Sequence, residues 1–241
     1  MEVHAHTHTE RKKWTHYFWE FFMLFLAVFF GFLAELRVEH TIEHSREKNF
    51  MKTLLVDLRA DILALDSNEN KRNLREQQLD TLFNLLEQKD LQKNAKEIYR
   101  LADASDGYET FIRNDRTIVQ LKFAAGMRLI RKNIVSEKIM DFDNYINSET
   151  SSNNEAEADR ISYYKEIRFR LFDGWCYSRY SSGDTITPVY FLPVGKNVVN
   201  EVAGAIFQVK RISATNRETG QTVKTRAVDL INLIEKEYHI K

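Results

Sequence analysis

Residues Phe21–Ala34 read FFMLFLAVFFGFLA, fourteen consecutive uncharged side chains, and seven of the residues from Phe18 to Phe32 are phenylalanine. Fourteen residues rise only about 21 Å as an α-helix, short of the roughly 30 Å hydrocarbon core of a bilayer. Extension to Trp14 and Leu36 gives about 23 residues and 34 Å, which spans with modest tilt. The extension adds Trp14, Tyr17 and Trp19, the aromatic belt expected at a headgroup interface, and Glu20 and Glu35, each close enough to an end to reach polar headgroups. The stretch therefore predicts a transmembrane helix over 14–36, preceded by a short polar tail over 1–13. A cleaved signal peptide is excluded by its edges. Cutting after Ala34 or Gly31 places Phe32 or Phe29 at a position that needs a small residue.

Orientation follows from the flanks. Arg11, Lys12 and Lys13 precede the span in a tight cluster, whereas Arg37, Arg46, Lys48 and Lys52 follow it more sparsely. Clustering and the short N-terminal tail favour a cytoplasmic N-terminus and an exported, periplasmic domain over 37–241. Balanced charge, 35 basic against 35 acidic residues, argues against a general nucleic-acid binder. The single cysteine, Cys176, fits either compartment; it reads as a buried unpaired thiol, with a disulfide between subunits left open.

Glycine is scarce at 8 residues and proline scarcer at 2, and neither occurs between Phe32 and Asp106. With breakers absent, the chain is expected to be all-α. The reading is a long helix over 37–66, a bundle over 74–172, an irregular aromatic loop over 174–195 and closing helices over 196–239. Three polar segments mark the expected interruptions: Asp66–Asn73 as a turn or break, Asn147–Asn154 as a loop, and a gap between closing helices near Asn216 and Thr222. Met51, Leu55, Leu58, Ile62 and Leu65 recur at alternating spacings of four and three, an apolar stripe that packs on the chain's own later helices or on a sister subunit.

The residues resemble a family of uncharacterised single-pass membrane proteins of the Bacteroidota. The likeness is carried by Leu54-Leu55-Val56-Asp57-Leu58 with Asp61, by Thr117-Ile118-Val119-Gln120-Leu121-Lys122 through Gly126-Met127-Arg128-Leu129-Ile130, and by the tail Ala227 to Glu235. It covers most of the chain by order of elements. Departures are Ala124-Ala125, where a Ser-Gly pair is more usual, and the aromatic loop after Gly174, which carries no family motif. The resemblance implies a membrane anchor with an exported helical domain, and no activity or ligand.

Chemistry-bearing motifs are few. His4, His6 and His8 alternate in the N-terminal tail and are the one metal-ligand candidate, without a partner cysteine or carboxylate cluster. No GxSxG elbow, Walker loop, GxGxxG turn or CxxC pair occurs. Cys176 shares the C-terminal half with one histidine, His239, which speaks against a Cys–His nucleophile. Arg168 and Arg179 lie around Trp175, Tyr177 and Tyr180, a mixture typical of binding surfaces, while Glu20 is the candidate for an intramembrane contact. The expected function is a non-enzymatic, membrane-anchored interaction or scaffold component of an envelope complex, without a cofactor. Its expected partners are the lipid bilayer and either further copies of itself or a larger membrane complex. An extracytoplasmic ligand-binding sensor subunit is the alternative, and an enzyme of unfamiliar type using the 174–195 loop is the second.

Overall fold

A computed structural model describes residues 14–107, 110–123, 126–184 and 188–240. Among these the regular elements are helices, with α1 at Trp14–Leu86, α2 at Ala95–Ala104, α3 at Arg116–Phe123, α4 at Asn133–Ile167, α5 at Gly174–Ser181 and α6 at Lys196–Tyr238. The only extended pairing among the described residues is an isolated antiparallel bridge between Phe172 and Phe191. The chain divides into two compact units, Met1–Asn49 and Phe50–Lys241.

In the first unit α1 carries one segment long and apolar enough to cross a membrane, and none of that segment is buried. Phe21, Leu24 and Val28 are 67%, 68% and 72% exposed. Spacing of four residues stacks the rings of Phe21, Phe25 and Phe29 along one line, with centroids 6.5 and 5.9 Å apart. His16 Nε2 lies 3.2 Å from Glu20 Oε1 one turn later, so the polar group nearest the apolar run has a partner on its own helix.

The second unit is built on three long helices: α1 from Phe50 onward, α4 and α6. Ion pairs Arg59–Glu235, Asp66–Lys224, Glu76–Arg217 and Asp80–Lys210 set α6 antiparallel to α1. Two separate apolar cores fill the bundle. Met51, Leu54, Leu58, Ile139, Phe142, Leu230 and Ile234 belong to the first. Leu79, Leu82, Ile98, Tyr99, Tyr164, Ile206 and Val209 belong to the second. Each fully buried Leu or Ile contributes roughly 1.5–3 kcal/mol. Both cores run in the same order along α1 and α4, which are therefore parallel.

The three expected interruptions do not occur. Asp66–Asn73 lies inside α1, Asn147–Asn154 inside α4, and Asn216–Thr222 inside α6. Polarity alone does not stop a helix; proline is absent from all three segments, and only Gly220 departs from ordinary helix formers. The aromatic region is also less irregular than expected. Gly174–Ser181 forms α5, capped by Asp173, whose carboxylate accepts from the Cys176 N–H at 2.9 Å. The helix ends at Gly183, whose φ of +87° a side chain would strain.

Candidate functional site

Where the three polar segments meet, the bundle has a charged waist between its two cores. Glu157 on α4 is fully buried there, with Arg72 and Arg75 of α1 and Ser213 and Asn216 of α6 at 7% exposure or less. Arg72 Nη2 donates to Glu157 Oε2 at 3.1 Å, while Arg75 and Asn216 donate to the same carboxylate. Arg75 also donates to the Gly107 carbonyl at 2.6 Å and to Ser213 Oγ at 3.2 Å. Three donors on α1 and α6 converge on this one carboxylate, so it ties the three helices together.

Amide side chains extend the waist outward. Asn153 donates to Thr219 Oγ1 at 2.9 Å, and Asn154 and Asn68 to the carbonyls of Phe111 and Thr110, each at 3.3 Å. A cavity of about 40 Å³ sits among them, walled by Arg72, Asn216, Arg217, Gly220 and Leu65.

Sequence reasoning missed this cluster because it treated the polar segments as breaks. The signal was present. Arg72 lies seven residues after Leu65 and seven before Leu79, and Arg75 seven before Leu82, so charged residues occupy core positions of the continuing stripe.

A further buried cation, Arg168, organises the far core. Arg168 grips Asp106 with both guanidinium nitrogens, Nη2 at 2.9 Å, and reaches the Ala102 carbonyl at 3.4 Å. Its guanidinium lies 4.5 Å from the Tyr177 ring centroid and 5.0 Å from that of Phe169. Burial opposes the charge, but the hydrogen bonds to Asp106 prevail and raise the Arg168 pKa. Tyr99 centres a ring cluster with Phe172 at 4.8 Å and Phe191 at 5.5 Å, and its hydroxyl donates to the Tyr190 carbonyl.

A third set ties the connecting segment before α3 to the bundle. Asp61 accepts from the Asn114 N–H at 2.7 Å and its Nδ2 at 2.9 Å. Asp57 accepts from Arg116 at 2.7 Å and Thr117 Oγ1 at 2.6 Å; Asp143 pairs with Arg113 at 2.6 Å and with Lys122. Gly126 closes the segment, because a Cβ there would meet Leu121 Cα at 3.0 Å.

Burial raises the carboxyl pKa at Asp57 and Asp143, but hydrogen bonds from Thr117 and Arg116, and from Lys122 and Arg113, outweigh it and leave both below 3.8. Their stabilisation is therefore present above pH 3.8 and lost as pH falls through the lower folded values. Asp61 is raised, burial exceeding the Asn114 bonds, so its contribution has the opposite sense and fades as pH rises through its folded value. With two against one, acidification below about pH 4 should release this segment. Hydrogen exchange of residues 112–121 should accelerate there before that of residues 223–234; simultaneous loss would show that the segment is not separately held.

The structure places the other sequence-derived candidates as follows. Met51, Leu55, Leu58 and Leu65 are buried in the first core with Ile62 packed against it, so the stripe is covered by the chain's own helices. Tyr177 and Arg168 are likewise core, at 5% exposure each, and Tyr180 packs against the same core. Trp175 and Arg179 are exposed on α5. Buried Cys176 is a free thiol, with Sγ 3.6 Å from the Pro188 carbonyl. His4, His6 and His8 lie outside the described residues, among which no cluster of metal-ligating side chains occurs.

No protein-family model, curated protein or solved structure matches the chain.

Proposed function

We propose that this chain is a membrane-anchored, non-enzymatic helical protein of the bacterial inner membrane, of the Bacteroidota type that its motifs resemble. Its N-terminus faces the cytoplasm, and the Phe50–Lys241 unit is periplasmic and serves as an interaction or scaffold component of an envelope complex. The observation that carries the anchor is the uncovered apolar segment of α1: rings and aliphatic side chains from Phe18 to Leu33 that no other described part of the chain buries. Exposure on this scale is costly in water and favourable in lipid. The interaction role is supported by Trp175 and Arg179, exposed four residues apart on α5, and by the exposed Tyr190.

Two measurements test this. The parent should remain in the membrane fraction after alkaline carbonate washing, and Phe25→Arg/Val28→Arg should release it, since each arginine at mid-span costs about 2.5–3.5 kcal/mol. For orientation, a Cys176→Ala protein carrying Ser152→Cys on the exposed face of α4 should react with a membrane-impermeant thiol reagent in cells whose outer membrane has been permeabilised. Labelling only after lysis would place the domain in the cytoplasm and end the periplasmic reading.

A further inference from the structure

The cavity at the waist has two polar atoms that the bundle itself leaves unanswered. Asn216 is 7% exposed, and its Nδ2 is committed to Glu157, which points its Oδ1 away from that carboxylate. That Oδ1 accepts no hydrogen bond from any described residue. On the next residue, Arg217 Nε is a buried donor that finds no acceptor among the described residues, although Nη2 of the same guanidinium donates to Glu76. A buried acceptor and a buried donor one residue apart each cost about 1–3 kcal/mol if left dry. Both residues line the same cavity.

The rest of the wall points the same way. Asn68, Asn153 and Asn154, which also line the cavity, each give an amide N–H to a protein acceptor. Glu69 adds a carboxylate that accepts a long hydrogen bond, 3.5 Å, from Gln221. A guest must therefore bring N–H donors to the asparagine and glutamate oxygens and an acceptor to Arg217. Size narrows the choice. One water needs about 10–15 Å³ of such space, so a cavity of about 40 Å³, partly open to solvent, takes three waters or a molecule of glycine size.

Gly220 supplies an independent observation. It lies inside α6, where glycine is worse than alanine, yet a Cβ there would meet nothing closer than Leu65 Cδ2 at 3.8 Å. No packing constraint explains the missing side chain; the space it leaves is part of the cavity wall.

We propose that the waist cavity is a binding site for a small zwitterion of the amino-acid class, its ammonium held by Asn216 Oδ1 and Glu69 and its carboxylate by Arg217 Nε. The site lies wholly in the Phe50–Lys241 unit, so it stands or falls separately from the membrane anchor. It goes beyond a scaffold role by giving the domain a ligand.

The test is thermal unfolding of the full chain in detergent at neutral pH, with glycine, glycine betaine or sodium acetate at up to about 10 mM. Glycine has both required groups; betaine is a zwitterion without N–H donors, and acetate has no ammonium. Glycine should raise Tm saturably, by about 2–4 °C at a few times its Kd, while the other two leave it unchanged. Gly220→Leu should fold and lose the response, because its side chain enters the cavity. Gly220→Ala is the safer companion: it should raise Tm without ligand by about 1–3 °C and weaken the glycine response several-fold. No shift with any probe means the cavity holds water only and overturns the proposal. Equal shifts with glycine and acetate would also overturn it, in favour of a simple anion site on Arg217. So would a glycine response unchanged in both Gly220 variants.

Discussion

Glu157→Leu should lower the unfolding midpoint by roughly 6–20 °C, the largest effect expected of any single substitution in the chain. Removing the carboxylate leaves Arg72 and Arg75 buried at 7% and 3% exposure without the anion that both contact. Breaking one partner out of a buried ion cluster costs about 3–5 kcal/mol, and 1 kcal/mol moves Tm by about 2–4 °C at this chain length. Asn216 loses its acceptor in the same step. Glu157→Gln keeps the shape and part of the hydrogen bonding, so its loss should be smaller than that of the leucine variant. A midpoint for Glu157→Leu within about 2 °C of the parent would mean that water reaches the waist and screens the two guanidinium groups.

Arg168→Met should destabilise the distal half by about 2–4 kcal/mol, from lost bidentate bonding to Asp106 and lost stacking on Tyr177 and Phe169. Methionine keeps the apolar stem and so isolates the guanidinium. Arg168→Lys retains the charge but cannot form the two-pronged pair or the flat stack, and it should recover less than half of the loss. The readout that separates this from general instability is local: proteolysis within the 182–195 connection should accelerate many-fold, while hydrogen exchange at Leu230 and Ile234 in the first core stays near that of the parent. Uniform acceleration at both ends would show that the two cores unfold together.

The helical class and the apolar segment near the N-terminus were legible because they rest on composition: a breaker-poor chain and an uninterrupted apolar run need no partner to be recognised. The stripe from Met51 to Leu65 was legible as a stripe, but periodicity cannot say whether its own chain or another covers it; burial in the first core answers that. The misreadings share one cause. Asp66–Asn73, Asn147–Asn154 and Asn216–Thr222 look like loops one at a time, because their polar side chains would be solvated if each helix stood alone. Their partners are 42 to 158 residues away in the chain, as in Asn68–Thr110 and Asp66–Lys224. A local window therefore saw the cost of burying them and not what offsets it. The same limit hid the cavity, which no single segment builds.

The waist also has a bearing on how the three helices find their alignment. Apolar stripes that repeat every seven residues fit together nearly as well when one helix slides by a heptad, since large side chains again meet large side chains. Here such a slip is penalised at one level. Moving α6 by seven residues would bring Val209 or Val223 to the place of Asn216, and moving α4 would bring Thr150 or Tyr164 to that of Glu157. The α4 slip strands Arg72 and Arg75 without the carboxylate that answers them, and the α6 slip takes from Glu157 its Asn216 donor. The charged layer thus acts as a vernier mark on an otherwise repetitive scale: the apolar cores supply the adhesion, and a handful of polar residues pick out the one alignment in which all three scales coincide.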